Sequence, residues 1–491
     1  MHSFLSWSLA IGLLAVLTSA TPYKHFSLNK RNATERLVFA HFMMGIVSNR
    51  QNASDYDNDM KLAKSAGIDA FALNIGTDNY TETQLNFAYA SAAKNNMSVF
   101  ISFDFNWFSP SADATTVGKL TKAFASKKAQ LKVDGRVFVS SFVGNGLDVE
   151  AVRQAAGTEI YFAPNFRPST PQIAKTIDGA LNWVAWDSNG ENRAPKGGKN
   201  VPVASGDGNY TAWLGSDKGY IAPVSPWFNT HYGPEVSYPK NWVFPSDLLW
   251  FNRWNEILTT NSTPQFLEII TWNDYGESHY IGPLSSKHTD DGNSKWANDM
   301  PHTGWLEMAT PFIKAYKEGK KEPVITEEKL IYWYRPTPKT VKCNGTDTTG
   351  SPPDGAETLE DSVFVVALLK DKGQITAISG MNSQTFNATA GAQAFRVPMG
   401  VGAQTFSLKR NGKTIMEATS QRDILNECPC GIYNYNAYVG TVPASNKADA
   451  LDADGLAGLM KGLNSSCSAT PSLPIRMPGA TGSTRPLRVR Y

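Results

Sequence analysis

Asp274 and Glu277 stand three residues apart in Phe266–Pro283, which reads F-L-E-I-I-T-W-N-D-Y-G-E-S-H-Y-I-G-P. Trp272, Tyr275, His279 and Tyr280 surround them. Two neighbouring carboxyl groups can do general acid–base work, one donating a proton while the other activates water or attacks carbon. Broad aromatic faces beside such a pair suit a sugar ring. The apolar run Leu267, Ile269 and Ile270 predicts a buried strand with the acids at its C-terminal end. The competing reading is a solvated loop in which Asp274 caps a turn, so the rest of the chain has to separate the two.

Other chemistries find little support. The 7 histidines form no H-E-x-x-H pattern. His231 and His279 are isolated and suit sugar hydroxyls or the orientation of a carboxylate, so no metal is expected. Gly144-Asn145-Gly146 lacks the rest of a dinucleotide fingerprint, and no G-x-S-x-G elbow occurs, so no cofactor is expected. A net charge of +2 makes no case for a nucleic-acid partner. The 13 Trp and 18 Tyr fit either core packing or a carbohydrate cleft.

The elements that must hold the acids follow a regular alternation. Strands are predicted at 37–42, 70–73, 99–105, 137–142, 160–163, 180–184, 220–224 and 266–272. Helices are predicted at 55–66, 81–95, 117–128, 148–156, 209–214, 246–258 (with Ser246 as N-cap) and 304–316. A loop rich in Gly, Asn and Lys spans 188–205, and 225–231 reads as a polar-aromatic loop. Eight strands alternating with helices over about 250 residues predict an α/β fold, a (β/α)8 TIM barrel. Residues at or after strand ends then become site candidates: Asn74, Asp104, Asp187, Trp227, His231, Asp274 and Glu277. Asp104 reads equally as a hydrogen-bonded structural acid, Asp187 as a loop cap and Asp247 as part of a helix first turn. Trp107, Trp186, Trp227, Tyr275 and Tyr280 are candidate sugar platforms, with packing as the alternative for each Trp; Trp272 joins them as a substrate contact.

From about Pro323 the texture changes to short strands separated by turns such as Asn411-Gly412, predicting a β-sandwich-like domain. This gives a division into a 1–20 signal peptide, a 21–36 pro-segment containing the dibasic Lys30-Arg31, a 37–322 barrel, a 323–467 β-sandwich-like domain and a 468–491 tail. Phe4–Leu17 is mostly apolar and Thr18-Ser19-Ala20 is a small-residue cleavage pattern, which points to secretion. Sequons start at Asn32, Asn52, Asn79, Asn96, Asn209, Asn261, Asn344, Asn387 and Asn464. The 4 cysteines, Cys343, Cys428, Cys430 and Cys467, read as disulfides, Cys343 pairing with one of Cys428 or Cys430 and Cys467 with the other. No stretch beyond the leader is long and apolar enough to span a membrane.

Several long motifs together resemble the family-71 glycoside hydrolases, the fungal α-1,3-glucanases or mutanases. They are F-A-H-F-M-M-G from Phe39, D-M-K-L-A-K-S-A-G-I-D-A-F-A-L-N-I-G from Asp59 and F-I-S-F-D-F from Phe100. A-P-V-S-P-W-F from Ala222, K-N-W-V-F from Lys240 and T-W-N-D-Y-G-E-S-H-Y-I-G-P from Thr271 follow. The resemblance implies inverting hydrolysis of α-1,3-glucan by a secreted monomer, with Asp274 and Glu277 as the catalytic carboxyls. Glu277 is expected as the acid and Asp274 as the base, far enough apart to admit water. The chain departs from the pattern after the fourth strand, where Ser140-Ser141-Phe142-Val143-Gly144 offers Val143 in place of an acid, and in the 189–200 loop. Rival readings are a catalytically weak wall protein that binds α-glucan and a barrel glycosidase for another glucan.

Overall fold

A computed structural model describes residues 35–169, 171–343, 349, 352–428 and 431–444. Eight parallel strands run Leu37–Met43, Ala70–Ile75, Ser98–Asp104, Arg136–Phe142, Ile160–Phe162, Gly179–Leu181, Gly219–Val224 and Phe266–Ile269. They are called here the first to eighth strands. Their lateral order is fifth, fourth, third, second, first, eighth, seventh, sixth, so the sheet curls and brings its first and last strands in the chain side by side. Between the fifth and sixth strands, Asp178 N–H donates to Phe162 O and Leu181 N–H to Pro164 O, both at 2.9 Å. Helices Asp57–Ser65, Thr81–Lys94, Ala114–Phe124, Val149–Ala156, Pro171–Thr176, Val203–Leu214, Leu249–Thr259 and Thr303–Glu318 alternate with the strands.

Period-two alternation builds two cores from one sheet. Phe39, Phe100, Phe138, Tyr161 and Phe266 fill the concave face, where Phe39 meets Phe138 at 5.4 Å although their strands are not neighbours. Val38, Ala40, Phe71, Leu73 and Ile101 pack outward against the helices. Nearer the carboxyl ends the concave face turns polar. His41, Ser102, Ser140 and Glu268 are all fully buried there, and His41 Nδ1 pairs with Glu268 Oε1 at 2.7 Å.

The sequence expectations fail where local cues were thin. Asn229–Tyr232 is a strand that begins within the expected 225–231 loop, paired antiparallel with Lys240–Val243. Ser246 does not cap the helix that follows: its Oγ donates to Phe244 O at 2.9 Å and the helix begins at Leu249. The helix placed at 209–214 begins at Val203, shortening the preceding loop.

The C-terminal part holds two four-stranded antiparallel sheets. One contains Lys329–Tyr334, Ser362–Leu369, Gly391–Pro398 and Tyr438–Val442; the other contains Gly373–Ser379, Asn382–Ala388, Gln404–Arg410 and Lys413–Thr419. Leu330, Val363 and Val365 of the first share a core with Ile375, Phe406 and Leu408 of the second. Asn411 and Gly412 take φ of 49° and 76°, the left-handed pair that a two-residue hairpin turn requires. Cys343 is bonded to Cys428; Cys430 and Cys467 lie outside the described residues.

Asp178 ties the two short strands together. Its carboxylate accepts from Arg136 at 2.5 Å, Arg153 at 2.7 Å and Phe162 N–H at 2.9 Å. Burial alone would push this carboxyl up, but the two guanidiniums and the N–H outweigh it and hold it below its usual value. Asp178→Ala is expected to cost about 2 kcal/mol of stability, read as a lower denaturant midpoint at neutral pH. Because the folded-state value is depressed, that contribution is present above the ordinary carboxylate range and fades as pH falls through the depressed value.

Candidate active site

The eighth strand ends at Ile269, and the chain then turns back on itself: Thr271 N–H donates to His279 O at 2.9 Å and Ile281 N–H to Thr271 O at 3.2 Å. Within this loop Tyr275–Glu277 forms one 3-10 turn capped by Asp274, whose Oδ1 accepts from Glu277 N–H at 3.1 Å. The capping reading and the chemical reading therefore coexist in Asp274: one oxygen takes the turn's N–H and the other remains. Both carboxyl side chains are half-buried, so both can be reached.

Glu277 is held from two sides. Lys240 Nζ donates to Oε1, and His279 Nε2 donates to Oε2 at 2.9 Å. His279 Nδ1 is 3.1 Å from Thr271 Oγ1, which in turn accepts from Asp274 N–H at 2.9 Å. One hydrogen-bonded chain thus runs between the two acids. Burial works to raise Glu277, but the Lys240 charge and the His279 hydrogen bond outweigh it and hold the carboxyl well below its ordinary range. Asp274 is pushed up by burial and then by the charge on Glu277, against weaker help from His279 and Lys240. The environment separates two chemically similar groups, raising the proton affinity of Asp274 and lowering that of Glu277.

An oxygen of Asp274, one of Glu277 and a ring nitrogen of His279 lie within 4.8 Å of one another. A single 3-10 turn holds the two acids together. The same three atoms are the grouping among the described residues most like a cation site. The ammonium of Lys240 already meets the Glu277 charge, which disfavours a second cation there. Gly276 is required on steric grounds: a Cβ there would fall 1.9 Å from Tyr232 Oη. Tyr232 Oη in turn donates to Asp291, as does Tyr238 Oη, both at 2.9 Å.

Asp104, at the end of the third strand, accepts from Asn106 N–H at 2.9 Å. Its carboxyl is raised chiefly by burial, and His41, Asn74 and Lys240 pull it back, which groups Asp104 and Asn74 with the Lys240 side of the site. Trp107 follows in the same turn, its N–H donating to Asp104 O at 3.0 Å. It is 61 % exposed, with its ring over Gly76, where a Cβ would come within 3.1 Å of it.

Several predicted sugar contacts are instead core. Trp186 stacks on Phe244 at 5.1 Å and donates to Trp227 O; Trp227 donates to Tyr435 O. Trp272 donates to Asp59, itself paired with Arg50. Tyr275 donates to Pro283 O, and Tyr280 donates to Met300 O and stacks on His302. All five rings are at most 1 % exposed, so none offers a face to a sugar. His231 is buried on the far side of the hairpin against Tyr433. Asp187 accepts from Val203 N–H at 3.2 Å, as a helix cap, and with Asp247 it lines a separate cavity of about 400 Å³. Val143 has φ of 47°, unusual for a β-branched residue, and its N–H meets Asn165 Oδ1 at 3.3 Å. Lys240, His41 and Glu268 were not singled out by the sequence. Glu268 stands as an acid inside an apolar run, and Lys240 opens the K-N-W-V-F motif, but neither was assigned a role.

A curled parallel sheet presenting two half-buried acids with opposed proton affinities at its carboxyl end has the arrangement that hydrolytic acid–base chemistry needs. Residues 34–452 match glycosyl hydrolase family 71, and the chain belongs to that family. It is 41 % identical over 459 residues to a mutanase of Penicillium rubens, covering 91 % of this chain and 99 % of that one. It is 37 % identical over 438 residues to a glucan endo-1,3-alpha-glucosidase of Schizosaccharomyces pombe, covering 84 % and 96 %. Among solved structures, a GH99 endo-alpha-mannosidase from a Bacteroides species aligns with 58 % of this chain and 98 % of its own at 12 % identity and a TM-score of 0.42.

Proposed function

We propose that this protein hydrolyses the α-1,3-glucosidic bonds of fungal cell-wall glucan with Asp274 as general acid and Glu277 as the charged partner. The observation that carries this reading is the clamp of Lys240 and His279 on Glu277 beside an Asp274 whose carboxyl is pushed up by burial and by the Glu277 charge. It reverses the roles expected from the motif. Burial and the Glu277 charge make Asp274 the group able to protonate a leaving oxygen, and Glu277 remains ionised to activate water. Asn74 and Asp104 bind sugar hydroxyls beside the pair, and exposed Trp107 is the aromatic platform at its edge. The named relatives, a mutanase and a glucan endo-1,3-alpha-glucosidase, support the substrate.

Inversion, implied by the family resemblance, is the proposed stereochemistry. The approach of one oxygen of each acid to within 4.8 Å supports a second reading, direct attack by Glu277 with retention, since carboxyls of inverting enzymes stand roughly 6.5–9.5 Å apart and those of retaining enzymes about 5–5.5 Å. Proton NMR of the first product formed from an α-1,3-oligosaccharide separates them. A β-anomer is expected; an α-anomer makes Glu277 the nucleophile.

The parallel sheet is proposed to be a closed (β/α)8 barrel, and the antiparallel sheets a β-sandwich spanning roughly 323–467. The protein is proposed to be secreted after loss of residues 1–20 and glycosylated. The sequon residues Asn52, Asn79, Asn96, Asn209, Asn261 and Asn387 are all exposed, which supports that reading; Asn32, Asn344 and Asn464 lie outside the described residues. Among those residues no helix is long and apolar enough to cross a membrane.

A further inference from the structure

The hairpin that carries Lys240 has two working faces. Successive side chains of a strand point to opposite sides. Lys240 and Tyr232, partners across the ladder, meet the catalytic turn: Lys240 sits on Glu277 and Tyr232 Oη lies over Gly276. Asn241 and His231, the next pair, meet the antiparallel region instead. There Tyr433 Oη donates to Asn241 Oδ1, and its ring meets His231 edge-on at 4.1 Å. Asn241 Nδ2 donates to Thr349 O at 3.3 Å. Asp354 brackets the main chain of the same strand, its N–H donating to Asn241 O at 3.2 Å and its carbonyl accepting from Val243 N–H at 2.9 Å. The Cys343–Cys428 disulfide joins the chain just before Thr349 to the chain just before Tyr433.

We propose that Tyr433 is a positioning residue for glycoside hydrolysis: by holding Asn241 it fixes the strand that sets Lys240 on Glu277. The antiparallel region then completes a site whose reacting carboxyls lie in the loop that follows the eighth strand of the curled sheet. Lysine is a flexible side chain with a compact charge, so its placement depends on the backbone that carries it. Catalytic groups lose effect steeply with small displacements. The inference rests on the catalytic reading of Asp274 and Glu277.

Tyr433→Phe removes one hydroxyl and keeps the ring against His231. The test compares full-length wild type, Tyr433→Phe, Lys240→Met and the double variant on a soluble α-1,3-oligosaccharide, with thermal unfolding of each. Tyr433→Phe is expected to lower kcat about ten-fold with KM little changed. It is also expected to move the acid limb of the kcat–pH profile upward. Glu277 is faced by Lys240 from the hairpin and by His279 and Asp274 from its own loop; Lys240 is faced by Glu277, Asp274 and Asp291. Loosening the hairpin weakens the Lys240 contribution, which includes both charge and hydrogen bond at Glu277 and charge alone at Asp274, and leaves that of His279 in place. The double variant is expected to match Lys240→Met alone, because both changes remove the same influence. A wild-type pH profile in Tyr433→Phe, or losses that simply add in the double variant, overturns the proposal. Asn241→Ala attacks the same hydrogen bond from its other side and replaces Tyr433→Phe should that variant not fold. Asp274→Asn and Glu277→Gln run alongside: if they remain active the catalytic reading itself falls, whereas if they are inactive and Tyr433→Phe behaves as wild type, only the positioning role falls.

Discussion

Glu277→Gln is expected to lower kcat on α-1,3-glucan about a thousand-fold or more, and Asp274→Asn about 10²–10⁴-fold, with glucan binding retained in both. The two losses have different origins. In Glu277→Gln the side chain keeps its size, but the charge that Lys240 and His279 are arranged around is gone. No group remains at that position to activate water or attack. In Asp274→Asn the oxygen that caps the 3-10 turn survives as an amide oxygen, so the turn is preserved while the dissociable proton is lost. Reducing-sugar release, binding to insoluble glucan and thermal unfolding, measured together, check this. A Glu277→Gln enzyme within ten-fold of wild type would remove Glu277 from the mechanism.

Lys240→Met is expected to shift the whole pH profile upward and to lower its maximum by about ten- to a hundred-fold. On the proposed assignment, activity requires Glu277 ionised and Asp274 protonated. In the wild type the acid limb therefore reports the depressed Glu277 and the alkaline limb the raised Asp274, giving an optimum on the acid side of neutrality. Lys240 pulls both carboxyls down. Without it both rise: Glu277 needs a higher pH to lose its proton, and Asp274 keeps its own to a higher pH. Measuring kcat/KM against pH in the two proteins decides it, and coincident profiles would mean that the Lys240 charge does not govern the pair.

The sequence marked the candidate pair because its cues are local: an apolar strand, then two acids three apart. The alternation of strands and helices was legible for the same reason, as periodicity is written within each element. What escaped depends on distant packing. The W-N-D-Y-G-E aromatics read as platforms, yet Trp272 reaches Asp59 and Tyr275 turns to Pro283 O, contacts that no local pattern encodes. Lys240 sits 37 residues from Glu277 along the chain, and its hairpin lacks the Asn-Gly signal that revealed the turn at Asn411. His41 and Glu268 pair across two adjacent strands from opposite ends of the parallel sheet's sequence, so each looked like a lone polar residue in an apolar run. The proposed proton assignment was illegible for a related reason: Asp and Glu begin nearly alike, and their separation comes from burial and the Glu277 charge on Asp274 and from the hydrogen bonds of Lys240 and His279 to Glu277.

The most direct test of the central claim, that Asp274 is the acid and Glu277 the charged partner, is activity on an α-1,3-oligosaccharide bearing a nitrophenol leaving group. Such a leaving group departs without being protonated, so it replaces the acid but not its partner. Recovery of most of the lost kcat in Asp274→Asn, with Glu277→Gln still inactive, is the predicted result. Recovery in Glu277→Gln while Asp274→Asn stays inactive would contradict it and restore the opposite assignment.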